Sequence, residues 1–283
     1  MKKVHFLAAL AAISMMTVTA CHDHNDEAEY AEKGSLVVEM DHQAGSVPFN
    51  LGTNYVTAAG DTIKFSKFNY FVSNFVLVKE DGSEYIVPKN DCYFLIQHEN
   101  GVANEVKLEN IPGGAYKSVR FTIGVDSLMS ATPAEQRPAA LDPVTNAAGM
   151  YWAWNSGYIF VKVEGTSPQA PIDPSTQERD VVYHVGGYGG NNPASPTMNN
   201  IKTVTLEKSG ELAQVGQLGS DHSHGGTSEG VEPHAHVYVN VLEIFTAPTS
   251  FKVADNPVMH WGDFSKTLAN NYADMFTLDH IHN

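Results

Sequence analysis

Between Thr62 and Glu80 the chain reads TIKFSKFNYFVSNFVLVKE, a run crowded with aromatic and β-branched residues. Such side chains pack well on a pleated surface and lose rotamer freedom in a helix, so the run predicts a long strand. Asp81-Gly82 and then DGSEYIV follow at once, the signature of a tight hairpin. A chain that commits this early to strand pairing must bury the strand face against a second layer.

The rest of the sequence extends that pattern. LVVEMDH (36–42) alternates, with Leu36, Val38, Met40 and His42 on one face. CYFLI (92–96), EVKLENI (105–111), KSVRFTIGV (117–125), YIFVKVEG (158–165), DVVYHVGG (180–187), IKTVTLE (201–207) and HVYVNVLEIF (236–245) predict further strands, separated by Gly- and Pro-rich turns. Residues 126–149 read as an insert with a short helix, and 166–179, 188–200 and 209–232 as loops. The period changes once, where Leu268, Tyr272, Met275 and Phe276 recur at helical spacing and predict one amphipathic helix over 265–276. The expected fold is therefore mainly β: a single β-sandwich-like domain over 35–283, with long loops and one C-terminal helix.

The N-terminus reads as an export signal. Two lysines precede the apolar stretch VHFLAALAAISMMTV, which is too short to span a bilayer comfortably and ends in VTAC (18–21). A small residue before Cys21 resembles the bacterial lipobox. The expectation is a signal peptide over 1–20, lipidation at Cys21 and an acidic tether over 21–34. The protein would then be an outer-membrane lipoprotein, facing the periplasm or the cell surface; acidic residues after the lipidated cysteine resemble surface-export signals of Bacteroidetes lipoproteins. Cys92 is then alone, in an apolar run that predicts a buried thiol. Seventeen Lys and Arg against 32 Asp and Glu leave a net charge of −15, which argues against nucleic acid as a partner and favours cations.

Thirteen histidines are distributed unevenly. Four pairs stand at i, i+2 — His22/His24, His222/His224, His234/His236 and His280/His282 — where random scatter gives roughly 0.6. On a strand, residues i and i+2 share a face about 6.5–7 Å apart, so two imidazoles can converge on one ion; on a helix they diverge. The first two pairs fall in the tether and in a loop. His234/His236 opens a strand. His280/His282 shares parity with Phe276 and Leu278 if the tail is extended, the pattern of a tail strapped to the body. His42 and His184 end or punctuate apolar strand faces, where a lone imidazole is more often hydrogen-bonded core than ligand. Trp152 and Trp154, at strand spacing in GMYWAWNSGYIF, read first as core.

SKFNYFVSNFVLV, IGVDSL, ALDPVTNAAGMYWAWNSGYIFVKVEG, YHVGG and NNYADMFTLDHIHN together resemble the MbnP family of exported bacterial copper-binding proteins, from about Leu36 to Asn283. The resemblance implies a β-rich periplasmic or surface protein that binds copper through histidines. It also implies oxidation of a tryptophan, Trp152 or Trp154, to kynurenine by a partner di-haem enzyme of the MauG type. The histidines in matching segments are His42, His184, His280 and His282. Proteobacterial members often carry four cysteines and this chain does not, which places it in a Bacteroidetes-type branch.

Imidazole suits copper, with zinc the alternative metal. The expected function is copper acquisition, storage or handling without turnover. The competing reading is a carbohydrate- or partner-binding surface lipoprotein with incidental histidines. An enzyme is disfavoured: no G-x-S-x-G, H-E-x-x-H or phosphate-binding loop is present.

Overall fold

A computed structural model describes residues 28–152, 157–189, 198–218 and 230–283. These form sixteen strands. In chain order come β1 (Lys33–Ala44), β2 (Val47–Pro48), β3 (Asn54–Val56), β4 (Thr62–Lys79) and β5 (Glu84–Ile86). Next are β6 (Tyr93–Gln97), β7 (Glu105–Pro112), β8 (Gly114–Ile123), β9 (Tyr151–Trp152), β10 (Gly157–Thr166) and β11 (Asp180–Gly186). The last are β12 (Lys202–Glu207), β13 (Ala213–Val215), β14 (His234–Asn240), β15 (Val258–Met259) and β16 (Phe276–His282). Two α-helices interrupt them, α1 (Ser127–Ala131) and α2 (Phe264–Ala273).

The strands divide between two sheets. The smaller runs β16-β14-β1, with β7 and the short β2 on the other edge of β1. The larger runs β12-β8-β4-β10-β11-β15 and carries β3, β5, β6, β9 and β13 at its sides. β4, the aromatic run of the opening argument, is long enough to pair with β10 through one half and β8 through the other. The sheets pack face to face as a sandwich. Leu36, Val38 and Met40 of β1 and Phe276 of β16 are buried in one core with Phe68, Tyr70 and Phe121 of the larger sheet. Phe276 meets Tyr70 and Phe121 edge-on, at 5.8 and 5.3 Å between ring centroids. Each such side chain contributes about 1.5–3 kcal/mol by leaving water. Cys92 is fully buried, as its apolar run predicts.

Three boundaries differ from the sequence expectation, each for a local reason. The strand expected over 236–245 stops at Asn240, whose side chain accepts from the Leu242 amide and starts a 3-10 turn over Val241–Phe245. That turn buries Val241, Ile244 and Phe245, which an extended strand would have split between two faces. The C-terminal helix ends at Ala273, and Phe276, expected as its last apolar residue, opens β16 instead. The tether expected to reach residue 34 is drawn onto the body earlier: the Ala31 amide donates to Gly216 O, and Lys33 and Gly34 already pair with β7.

Candidate metal centre

β14 lies between β1, to which it runs parallel, and β16, to which it runs antiparallel. Ala235, Val237 and Val239 of β14 point into the core, so His234, His236, Tyr238 and Asn240 face outward. β1 obeys the same rule. Val38, Met40 and His42 point in, and Glu39 and Asp41 point out.

β16 breaks the rule once. Val237 pairs with Leu278, but His236 pairs with His280, so Asp279 is the extra residue of a β-bulge. The bulge reverses the expected parity. Phe276 and Leu278 remain in the core while His280 and His282 turn outward, opposite His236 and His234. All four histidines of the two C-terminal pairs thus share one outer sheet face with Glu39 and Asp41. The tail is strapped to the body through its apolar residues, and its histidines are on the other side.

Each of three imidazoles there has its Nδ1 on a carboxylate. His234 Nδ1 lies 2.5 Å from Glu39 Oε1. His236 Nδ1 lies 3.2 Å from Glu39 Oε2 and 3.3 Å from Asp41 Oδ2. His280 Nδ1 lies 2.9 Å from Asp279 Oδ2, and this bond, then one from Tyr238, holds the Asp279 carboxyl below the usual carboxylate range. The His236 and His280 rings stack with centroids 4.3 Å apart and 8° between planes. A carboxylate at Nδ1 either accepts an Nδ1–H and leaves Nε2 with its lone pair, the arrangement found behind metal-bound histidine, or yields that proton's place to an ion held by Nδ1 and the carboxylate together. Glu39, Asp41 and His236 also bring one donor atom each within 4.8 Å of one another. Glu39 and Asp41 are the ligand candidates that sequence reasoning missed. Their parity on β1 was legible, but the parallel pairing that sets them beside β14 spans nearly two hundred residues.

The other two candidate histidines lie elsewhere. His42, one residue from Asp41, points into the core, where its Nδ1 is 2.8 Å from His98 Nδ1 and its Nε2 is 2.9 Å from Tyr70 OH. Burial, with His98 adding in the same direction, pushes His42 down to about 3, so it is held neutral. His184 stands on β11 of the larger sheet, with Nε2 2.9 Å from Glu164 Oε1 and its ring 4.7 Å from that of His260. Burial lowers His184 to about 4 despite that bond. Burial alone would raise Glu164, but His184, Lys162 and Lys67 outweigh it and hold the carboxyl low. His42, His184, His280 and His282 therefore do not form one shared site. They occupy the core, the second sheet and the outer face of the first.

Trp152 is core, as its strand context predicts. It lies edge-on to Trp261 at 5.8 Å and closes on Gly186, where a Cβ would sit 2.8 Å from its ring and 2.2 Å from Tyr158 O. Trp154, Cys21, His22/His24 and His222/His224 lie outside the described residues.

No curated protein matches the chain. Among solved structures it is similar to MbnP from Methylosinus trichosporium, at 18% identity over 82% of each chain with a TM-score of 0.49. The model of the MbnP family matches residues 33–261, nearly the whole of the two sheets, and the protein belongs to the MbnP family.

Proposed function

We propose that the outer face formed by β1, β14 and β16 binds copper, and that the protein acquires, stores or hands on that metal without turnover. One observation carries the reading. Four histidines from two adjacent strands share a face, and three of them have a carboxylate at Nδ1. A carboxylate at Nδ1 is the partner that orients metal-bound histidine. The donors are imidazole and carboxylate, and among divalent first-row ions raw affinity for such a set peaks at Cu²⁺. The acidic chain favours a cation. Family membership supports the same reading. Export as a lipoprotein anchored through Cys21 in the outer membrane would place the site where extracytoplasmic copper is met. Four imidazoles and two carboxylates suffice as ligands without an oxidised tryptophan, so kynurenine and a di-haem partner enzyme are separate proposals. The carbohydrate reading draws no support from Trp152, which is buried.

The test is copper titration of the mature protein followed by metal analysis, beside the variant His236→Ala plus His280→Ala. The variant should lose copper while keeping the wild-type melting temperature of the metal-free protein. Unchanged copper content in the variant would refute the assignment.

A further inference from the structure

Glu39 is placed unlike any other carboxylate on this face. Its two oxygens go to different imidazoles, Oε1 to His234 Nδ1 at 2.5 Å and Oε2 to His236 Nδ1 at 3.2 Å. Those histidines stand two residues apart on β14, about 6.5–7 Å along the strand. One ion with bonds near 2 Å cannot sit between both nitrogen–oxygen pairs at once. Two ions can, each displacing to solvent the proton now shared between a Glu39 oxygen and an imidazole Nδ1, so that Nδ1 of His234 and His236 is the ligand atom. The spacing suits a carboxylate-bridged pair, whose ions lie about 3.5–4 Å apart.

The strand register supplies a second imidazole to each position. His282 stands opposite His234, and His280 opposite His236. Asp41 adds a carboxylate oxygen on the His236 side, 3.3 Å from Nδ1. From this, and resting on the copper reading above, we propose that the face binds two divalent ions per chain, bridged by Glu39. The first has His234 and His282 as its imidazoles; the second has His236, His280 and Asp41. The donor set contains no thiolate or thioether, so the ligand class is a borderline divalent cation, Cu²⁺ or Zn²⁺, rather than cuprous copper. The charge is in keeping: Glu39, Asp41 and Asp279 offset three of the four positive charges of such a pair. Two lysines of neighbouring segments are engaged elsewhere, Lys107 with Glu232 and Lys208 with the Asp279 carbonyl.

The experiment uses the mature protein, loaded with Cu²⁺ and passed through size exclusion so that only monomer is counted. The expected result is two copper ions per chain and an electron paramagnetic resonance spectrum with a half-field transition and less than two spins' intensity. Glu39→Gln, which keeps the shape and removes the charge, should drop the count towards one and give an uncoupled spectrum at an unchanged metal-free melting temperature. One ion per chain in the wild type, or two with the spectrum of isolated centres and no response to Glu39→Gln, overturns the bridge and leaves the copper reading standing. Wild-type protein that takes up no copper overturns both.

Discussion

Asp41 and His42 are neighbours on β1, yet they belong to two regions with opposite chemistry. Outward, four histidines share a face, three of them against carboxylates, and remain accessible to ions. Inward, His42, His98 and Tyr70 form a hydrogen-bonded chain between the sheets, with Phe49 and Phe68 packed around it. Three of the outer imidazoles have a carboxylate at Nδ1, an oxygen donor that can orient the ring towards an ion or share one with it. The inner pair uses both nitrogens of His42 and leaves His98 Nε2 buried without a partner. The same residue type is therefore a candidate ligand in one place and core in the other. What separates them is one residue of strand parity, not any property of histidine.

That contrast can be broken by exchange of damage. His236→Ala plus His280→Ala should lower copper affinity by about a thousandfold or more, since two ligands go together, while leaving the fold intact. His42→Ala should do the reverse. It opens a void and strips the Tyr70 hydroxyl and His98 Nδ1 of their partner, at a cost of about 3 kcal/mol in unfolding stability, with copper stoichiometry unchanged once the variant is folded. Parallel calorimetric titration and denaturant melts read both quantities. If His42→Ala lost copper at full stability, the division between the two regions would be wrong.

Acid should act on the inner region next. In the folded protein His42 is pushed down to about 3, whereas an unfolded imidazole takes a proton below about 6.5. Between those values the unfolded state binds more protons, so stability is full above about pH 6.5 and is lost as pH falls towards 3. His184, lowered to about 4, contributes with the same sign. Denaturant midpoints of metal-free protein should therefore fall over that window, by an amount on the order of a few kcal/mol. The slope should flatten in His42→Ala but not in His236→Ala. A wild-type curve that stays flat from pH 7 to 4 would refute the neutral buried imidazole.

Much of this was legible in the sequence, and the remainder has identifiable causes. Strand alternation placed Leu36, Val38, Met40 and His42 on one face, and they are the inward face of β1. The i, i+2 rule grouped His234 with His236 and His280 with His282, and each pair does share a face. Two things were not legible. A bulge leaves no mark on the sequence beyond one residue too many, so His280 and His282 were expected on the side of Leu278 when Asp279 turns them to the other. Pairing between strands distant in the chain is a tertiary outcome, so neither the meeting of the two pairs nor Glu39 beside them followed from local pattern. The grouping of His42 and His184 with the tail came from family resemblance, which marks positions without saying whether they meet.

Asp279 is the finest probe of the outer region, because it makes the bulge and also holds an imidazole. Its side chain lies on the same outer face as His280, whereas plain alternation would have put these two neighbours on opposite faces. Asp279→Asn preserves the bulge, since the backbone is unchanged, but replaces a carboxylate with an amide that can present either a donor or an acceptor to Nδ1. His280 then loses the charge that stabilises its Nδ1–H form and raises its basicity towards metal. Copper affinity should fall about tenfold, the low end of the range for such outer partners, because the pair is exposed to water. Stoichiometry should not change, and the melting temperature of the metal-free protein should hold. Asp279→Gly, which keeps a bulge-compatible backbone but removes the partner outright, should fall further in affinity at similar stability. If both variants bound copper as tightly as the wild type, His280 would be oriented by its stacking on His236 alone, and the carboxylates of this face would be solvated charge instead of supports for the site.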